Sequence, residues 1–166
     1  MSGAPAWVSY AALLLSAGSL LVAALAYRAG GPRLRLRSYR IPADSEANPF
    51  PSGAPVELTV VNSGRAAVTI EGFHVTRPEG RRPLAPVRDA DGPDLPHRLD
   101  AHSSATWIVD ALPAARAVEQ KSGGEDDMLV GPAQFRFVAR AGNGQEARES
   151  YSYTAVRFIA EAGRRD

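Results

Sequence analysis

The sequence predicts a mainly β protein, an antiparallel β-sandwich preceded by one N-terminal transmembrane α-helix. Three observations carry that reading. No charged residue precedes Arg28, although 166 residues hold 19 basic and 18 acidic side chains. From residue 33 onward the apolar period is two, the period of half-buried strands. Proline and glycine breaks recur between short alternating runs, as in sandwiches rather than in alternating helix–strand folds.

The helix comes first. Trp7 to Tyr27 reads WVSYAALLLSAGSLLVAALAY, 21 residues whose helical rise matches a bilayer core of roughly 30 Å. Ser9, Ser16 and Ser19 offer no polar face. Trp7, Tyr10 and Tyr27 lie where amphipathic aromatics favour the membrane interface. Arg28 stops the run, and Gly30-Gly31-Pro32 ends the helix. The expected division is a tail at 1–6, the span at 7–28 and a linker at 29–32. A cleaved signal peptide is the rival, since Ala24-Leu25-Ala26 resembles a cleavage site. Residues 1–6 hold no Lys or Arg, however, and the apolar run is long for such a peptide.

Orientation follows from the flanks. Arg28, Arg33, Arg35, Arg37 and Arg40 stand within 13 residues with no acid among them. Arginines beside a span stay on the cytoplasmic side. The expectation is an inner-membrane, single-pass protein with its N-terminus out and its C-terminal domain in the cytoplasm. Ala12, Ser16, Ser19, Ala23 and Ala26 recur at spacings of four and three, a small face that lets a second helix approach.

The sandwich is expected over 33–160, with a flexible tail at 161–166. Arg33-Leu34-Arg35-Leu36-Arg37 puts leucines on one face and guanidinium groups on the other. Val56, Leu58 and Val60 alternate again, Asn62-Ser63-Gly64-Arg65 turns, and Val68-Thr69-Ile70-Glu71 resumes. At Gly72 the phase slips towards Phe73 and Val75, as at a β-bulge. Residues 77–104 read as irregular, holding a crossover and one short edge strand. Ala105 to Val109 is a strand whose Trp107 anchors the core. Asp110 to Gln120 reads as a short helix with Pro113 in its first turn. Residues 121–127 form a polar loop. Gln134 to Arg140 then pairs with Gln145 to Tyr153 through a type I′ turn at Gly142-Asn143-Gly144. Residues 156–160 close the domain as a strand or short helix.

Two stretches carry a resemblance. Val60-Val61-Asn62-Ser63-Gly64 followed by Val68-Thr69-Ile70 resembles the V-x-N-x-G…V hairpin of bacterial immunoglobulin-like modules. Leu99-Asp100-Ala101-His102-Ser103-Ser104-Ala105-Thr106-Trp107 resembles their L-x-P-G-x-S-A-x-W approach to a later strand. Ala101 and His102 stand where proline and glycine are usual. The whole plan is similar to small bacterial single-pass membrane proteins with a C-terminal immunoglobulin-like β-sandwich, over residues 7–41 and 55–110. The resemblance implies an immunoglobulin-like fold and an anchor, and no activity.

The search for chemistry yields little. The chain has no cysteine, which excludes thiol catalysis and disulfides. Its near-neutral charge and lack of a basic cluster beyond the juxtamembrane strand give no footprint for nucleic acid. His97 and His102 lie near Asp94 and Asp100, a spacing that supplies two zinc ligands but no second cluster. Asp89, Asp91 and Asp94 resemble half a calcium loop without its glycine and closing glutamate. Ser103 and Ser104 adjoin His102, yet neighbours on a strand face opposite ways. No catalytic, metal or cofactor residue is assigned, and the chain is expected not to be an enzyme.

The functional expectation is a membrane-anchored, non-catalytic binding or assembly module. Its membrane-interface residues are Trp7, Tyr10, Tyr27, Arg28, Arg33, Arg35 and Arg37; its helix-contact residues are Ala12, Ser16, Ser19, Ala23 and Ala26. The expected partners are the lipid bilayer and a protein, or a second copy, met through the helix or a sheet edge. The alternatives are an outward-facing, adhesin-like envelope module with a weak ligand or calcium site in loop 89–102, and an enzyme or metal site around His97 and His102.

Overall fold

A computed structural model describes residues 6–42, 45–46, 48–51, 53–80, 82–122 and 132–163; within its helices the side chains at 6, 9, 27–29 and 161–162 lie outside that description. Three expectations lie wholly or in part outside it: the N-terminal tail at 1–6, most of the polar loop at 121–127 and the end of the tail at 164–166.

Helix α1 (Ala6–Gly30) forms where the apolar run predicts, 25 residues with apolar side chains on all sides. Among the described residues no helix is long and apolar enough to cross a membrane. The transmembrane helix expected over 7–28 is corrected to that extent. The helix is present, without being shown to span.

The rest is a sandwich-like pair of antiparallel sheets. The first has the order β1-β2-β7-β5 and is built from β1 (Leu34–Arg40), β2 (Pro55–Asn62), β7 (Ser103–Asp110) and β5 (Ala90–Asp91). The second has six strands in the order β10-β8-β3-β4, with β6 on β3 and β9 on β8. Its members are β3 (Val68–Thr76), β4 (Pro83–Val87), β6 (His97–Leu99), β8 (Gln134–Ala141), β9 (Glu146–Arg148) and β10 (Tyr153–Thr154).

Period two in the sequence becomes burial. Leu36, Val56, Leu58, Val60, Trp107 and Val109 face inward from the first sheet and meet Val68, Ile70, Phe73, Val75, Phe135 and Phe137 of the second. Trp107 sits edge-on to Phe73 at 5.2 Å, and its indole N–H donates to the Pro93 carbonyl at 2.7 Å. The bulge expected at Gly72 is there, as a register shift between Ile70 and Gly72 against β8. Helix α2 (Leu112–Ser122) starts where Asp110 caps it, Oδ1 accepting from the Leu112 N–H at 3.0 Å. Helix α3 (Ala155–Ala162) packs against α2 through a strongly amphipathic face.

Three local expectations change. Residues 77–104 hold three short strands, not one, because tertiary pairing makes strands of two and three residues that no local pattern marks. Both β4 prolines fit a strand that, among the described residues, pairs only with β3. The β8–β9 turn is not type I′. Among the described residues only His102 combines a side chain with positive φ, so Asn143 does not; Gly144 alone takes the left-handed conformation there, at φ 80°. With Gly144 N–H donating to the Ala141 carbonyl at 2.9 Å, this is a type I turn closed by a glycine bulge. Finally, the run expected at 145–153 is split into β9 and β10, because residues 149–152 leave the ladder.

Candidate functional site

A densely bonded place among the described residues is the junction between α1 and the sandwich. Asn62 is fully buried there at the end of β2. Its Oδ1 accepts from the backbone N–H of Arg33 at 3.3 Å and of Gly64 at 3.0 Å. Its Nδ2 donates to the carbonyls of Ala66 at 2.8 Å and Asp100 at 3.0 Å. One amide thus satisfies all four of its hydrogen bonds and joins the linker, the β2–β3 turn and the 100–102 turn. Ser63 adds two bonds to the Arg33 carbonyl, from its N–H at 2.9 Å and its hydroxyl at 3.2 Å.

Gly64 completes the clamp. A Cβ at this position would lie 2.4 Å from both Arg33 N and Gly31 O, and 2.6 Å from Pro32 Cα. The linker therefore rests directly on the glycine. The Asn and Gly of the V-x-N-x-G hairpin owe their place to the linker leaving the helix.

Immediately past the clamp, β1 presents the expected alternation. Arg33, Arg35 and Arg37 are exposed, while Leu36 is buried and Leu34 half-buried. On α1, Trp7 and Tyr10 are 69% and 71% exposed; Tyr27 and Arg28 have side chains outside the description. Ala12, Ser16, Ser19, Ala23 and Ala26 are all exposed. A groove on α1 is lined by Leu14, Leu15, Gly18, Ser19, Val22 and Ala23, so it takes in two of those five.

The histidine–aspartate loop has other duties. The His97 ring packs edge-on against Trp107 at 5.7 Å. His102 occupies the left-handed region at φ 56°, the place where the resembled modules carry glycine. Asp100 accepts from Arg98 Nε at 3.2 Å, and its carbonyl serves Asn62 and Ser103. Gly92, at φ 145°, lies against Trp107: an added Cβ would meet Thr106 O at 2.8 Å. Among the described residues no group of three His, Asp or Glu side chains is placed to hold a metal ion.

Two polar clusters escaped the sequence reading. On the outer side of the second sheet, a cleft of about 400 Å³ is lined by Glu71, His74, Pro83, Pro86, Arg140 and Glu146, among others. Its charges are paired, Arg140 with Glu71 at 2.8 Å within the cleft and Glu146 with Arg148 beside it at 2.9 Å. His74 Nε2 stands 3.9 Å from Glu146 with no hydrogen-bond partner. Burial is the main cause lowering the His74 pKa, Glu146 opposing it and Arg140 and Arg148 adding to it.

The second cluster joins the sheets. Glu149, 2% exposed, accepts from the Ser38 hydroxyl through Oε1 and from the Tyr153 hydroxyl at 3.3 Å, and those two hydroxyls are themselves bonded. Burial raises the Glu149 carboxyl to about 7, against the pull of Tyr153, the Phe137 backbone and the Arg136 charge. Burial raises the Tyr153 phenol as well, opposed by Ser38 and reinforced by the Glu149 charge. A signal for this cluster was present: Glu149 shares the parity of inward Ala147, and Ser38 that of Leu36.

No protein-family model matches the chain, and no curated protein matches it.

Proposed function

We propose that the protein is a membrane-anchored, non-catalytic binding or assembly module, with α1 seated in the inner membrane and the sandwich on the cytoplasmic side. The observation that carries this is α1 itself. Leu13, Leu14, Leu15, Leu20, Leu21, Val22 and Leu25 are each 59–75% exposed. Leaving seven such side chains in water forgoes on the order of 10–20 kcal/mol of burial, as much as a whole domain's stability. A helix apolar on every side needs a surrounding that is apolar on every side. No charge occurs in the sequence before Arg28.

Orientation rests on the arginines. Arg33, Arg35 and Arg37 project outward immediately after the helix, where each contributes about 1 kcal/mol beside anionic headgroups. Residues 41–166 carry 14 basic and 18 acidic groups, so the body of the domain adds no attraction of its own. The immunoglobulin-like character of the sandwich belongs to the same proposal, supported by the Asn62–Gly64 hairpin and the Leu99–Trp107 approach. The binding role is supported by the clamp, which fixes how the domain leaves the helix.

Two measurements test this. C-terminal fusions to a phosphatase active only outside the cell and to a fluorescent protein maturing only inside should give fluorescence; phosphatase activity would overturn the orientation. Crosslinking of the full chain in mild detergent should trap a partner or a second copy. A lone monomer would overturn the assembly role.

A further inference from the structure

Strand β1 has one strand partner among the described pairings, β2, with which it is in register from Leu34↔Asn62 to Arg40↔Val56. It meets the 149–153 segment of the other sheet through side chains rather than a ladder. Ser38 bonds Glu149 and Tyr153, and the Arg40 guanidinium lies 4.6 Å over the Phe158 ring. Glu149 Oε2 is buried with no hydrogen-bond partner, and so is Arg136 Nε.

We propose that Ser38, Glu149 and Tyr153 form a proton-operated latch between the two sheets, closed while the Glu149 carboxyl is protonated and loosened when it ionises. A neutral carboxyl keeps Oε1 accepting from the two hydroxyls and places no charge on the unpartnered Oε2. An ionised carboxylate spreads its charge onto both oxygens, and Oε2 then requires water. Water reaches it only if the 149–153 segment moves from β1. The charged and titratable groups facing the carboxyl are Arg136 from β8, Tyr153 from β10 and, through Tyr153, Arg40 from β1. The Tyr153 hydroxyl, the Phe137 backbone and the Arg136 charge favour ionisation, yet burial outweighs them and holds the carboxyl at about 7. Opening separates the two sheets at Ser38, on the strand that continues from the linker.

The test is amide hydrogen exchange on the full chain in detergent micelles at about pH 5.5 and about pH 8.5, normalised to unstructured-peptide rates. With a closed-state midpoint near 7 and an open-state one near 4.5, protection at 36–40 and 149–154 should fall about thirtyfold between those conditions. Protection at the centre of β3 should not change, and Glu149→Gln should abolish the fall. Equal protection at both pH values, or the same fall in Glu149→Gln, would overturn the latch. If that variant does not fold, the carboxyl carbon shift of Glu149 in the unaltered chain decides. A midpoint near neutrality supports the latch, and one near 4.5 removes it.

Discussion

Replacing Gly64 by alanine attacks the junction directly, because the new methyl would sit 2.4 Å from two linker backbone atoms and 2.6 Å from a third. Ordinary carbon contacts lie near 3.5–4.0 Å, so the linker must move by about 1 Å. The neighbours are backbone rather than a flexible side-chain end, so they do not rotate away. A shift of that size breaks the bonds that Arg33 makes to Asn62 and Ser63, and at about 1 kcal/mol each the three together cost about 3 kcal/mol. For a domain of this size that lowers Tm by roughly 10 °C, readable by near-ultraviolet circular dichroism of the full chain in detergent. The control is Gly72→Ala in β3, where an added Cβ meets nothing within 4 Å; its Tm should stay the same or rise. If Gly64→Ala melts within about 1 kcal/mol of the unaltered protein, the linker is not clamped and the reading of the junction fails.

Other outcomes follow from the same geometry. Asn62→Ala removes four hydrogen bonds from a fully buried site and should cost at least about 3 kcal/mol in urea unfolding; a loss below about 1 kcal/mol would deny the amide its linking role. His102→Gly relieves a left-handed backbone at φ 56° and should stabilise by up to about 1 kcal/mol after the glycine entropy penalty, checked by the same unfolding curves; a clear destabilisation would mean the imidazole makes an essential contact. Glu149 holds its proton more tightly folded than unfolded, so its contribution is complete below pH 4.5 and lost as pH rises to about 7. Global stability should fall by about 3 kcal/mol across that window, and the Glu149→Gln chain should lack this fall. Changing Arg33, Arg35 and Arg37 together to glutamine should abolish the approach of a fluorophore at Ser104, on the same sheet's exposed face, to anionic but not neutral nanodiscs; approach that persists would place the arginines outside any lipid contact.

What the sequence displays, and what it hides, divides by physical range. Alternation in 34–37 and 56–60 is a local pattern that burial then rewards, so β1 and β2 appear near their expected bounds. The Gly72 bulge shows as a parity change between Ile70 and Phe73, again within a few residues. Strands β5 and β6 have two and three residues, and they exist because β7 and β3 offer edges to pair with. No window of sequence contains that fact. Asn143-Gly144 misled for a subtler reason: the dipeptide permits two positive φ values, but Gly142 lengthens the loop and one suffices. Glu149 was hidden by chemistry rather than by range. Its parity points inward, yet an acid within ESYSY reads as solvent-facing until Ser38, 111 residues earlier in the chain, is seen to meet it. The arginine stripe was fully legible, since exposure of every second residue is all it requires.

Strand β1 gathers features that are unrelated in sequence. It begins at the clamp, carries the outward arginines, pairs with a single neighbour and holds Ser38 at the seam. If α1 is held in a bilayer as proposed, any load between membrane and domain enters at Arg33 and passes along β1. The register with β2 then resists it in shear, seven residue pairs loaded together, while the seam carries almost none of it because it has only side-chain bonds. That division lets the seam open without releasing the anchor. A latch on the other side of the sandwich, at the His74 cleft, would have no such independence, because β3 there is held by β4, β6 and β8 at once. The buried acid therefore stands against the one strand that pairs with a single neighbour among the described pairings, where a small change of charge can loosen the contact between sheets without breaking a ladder.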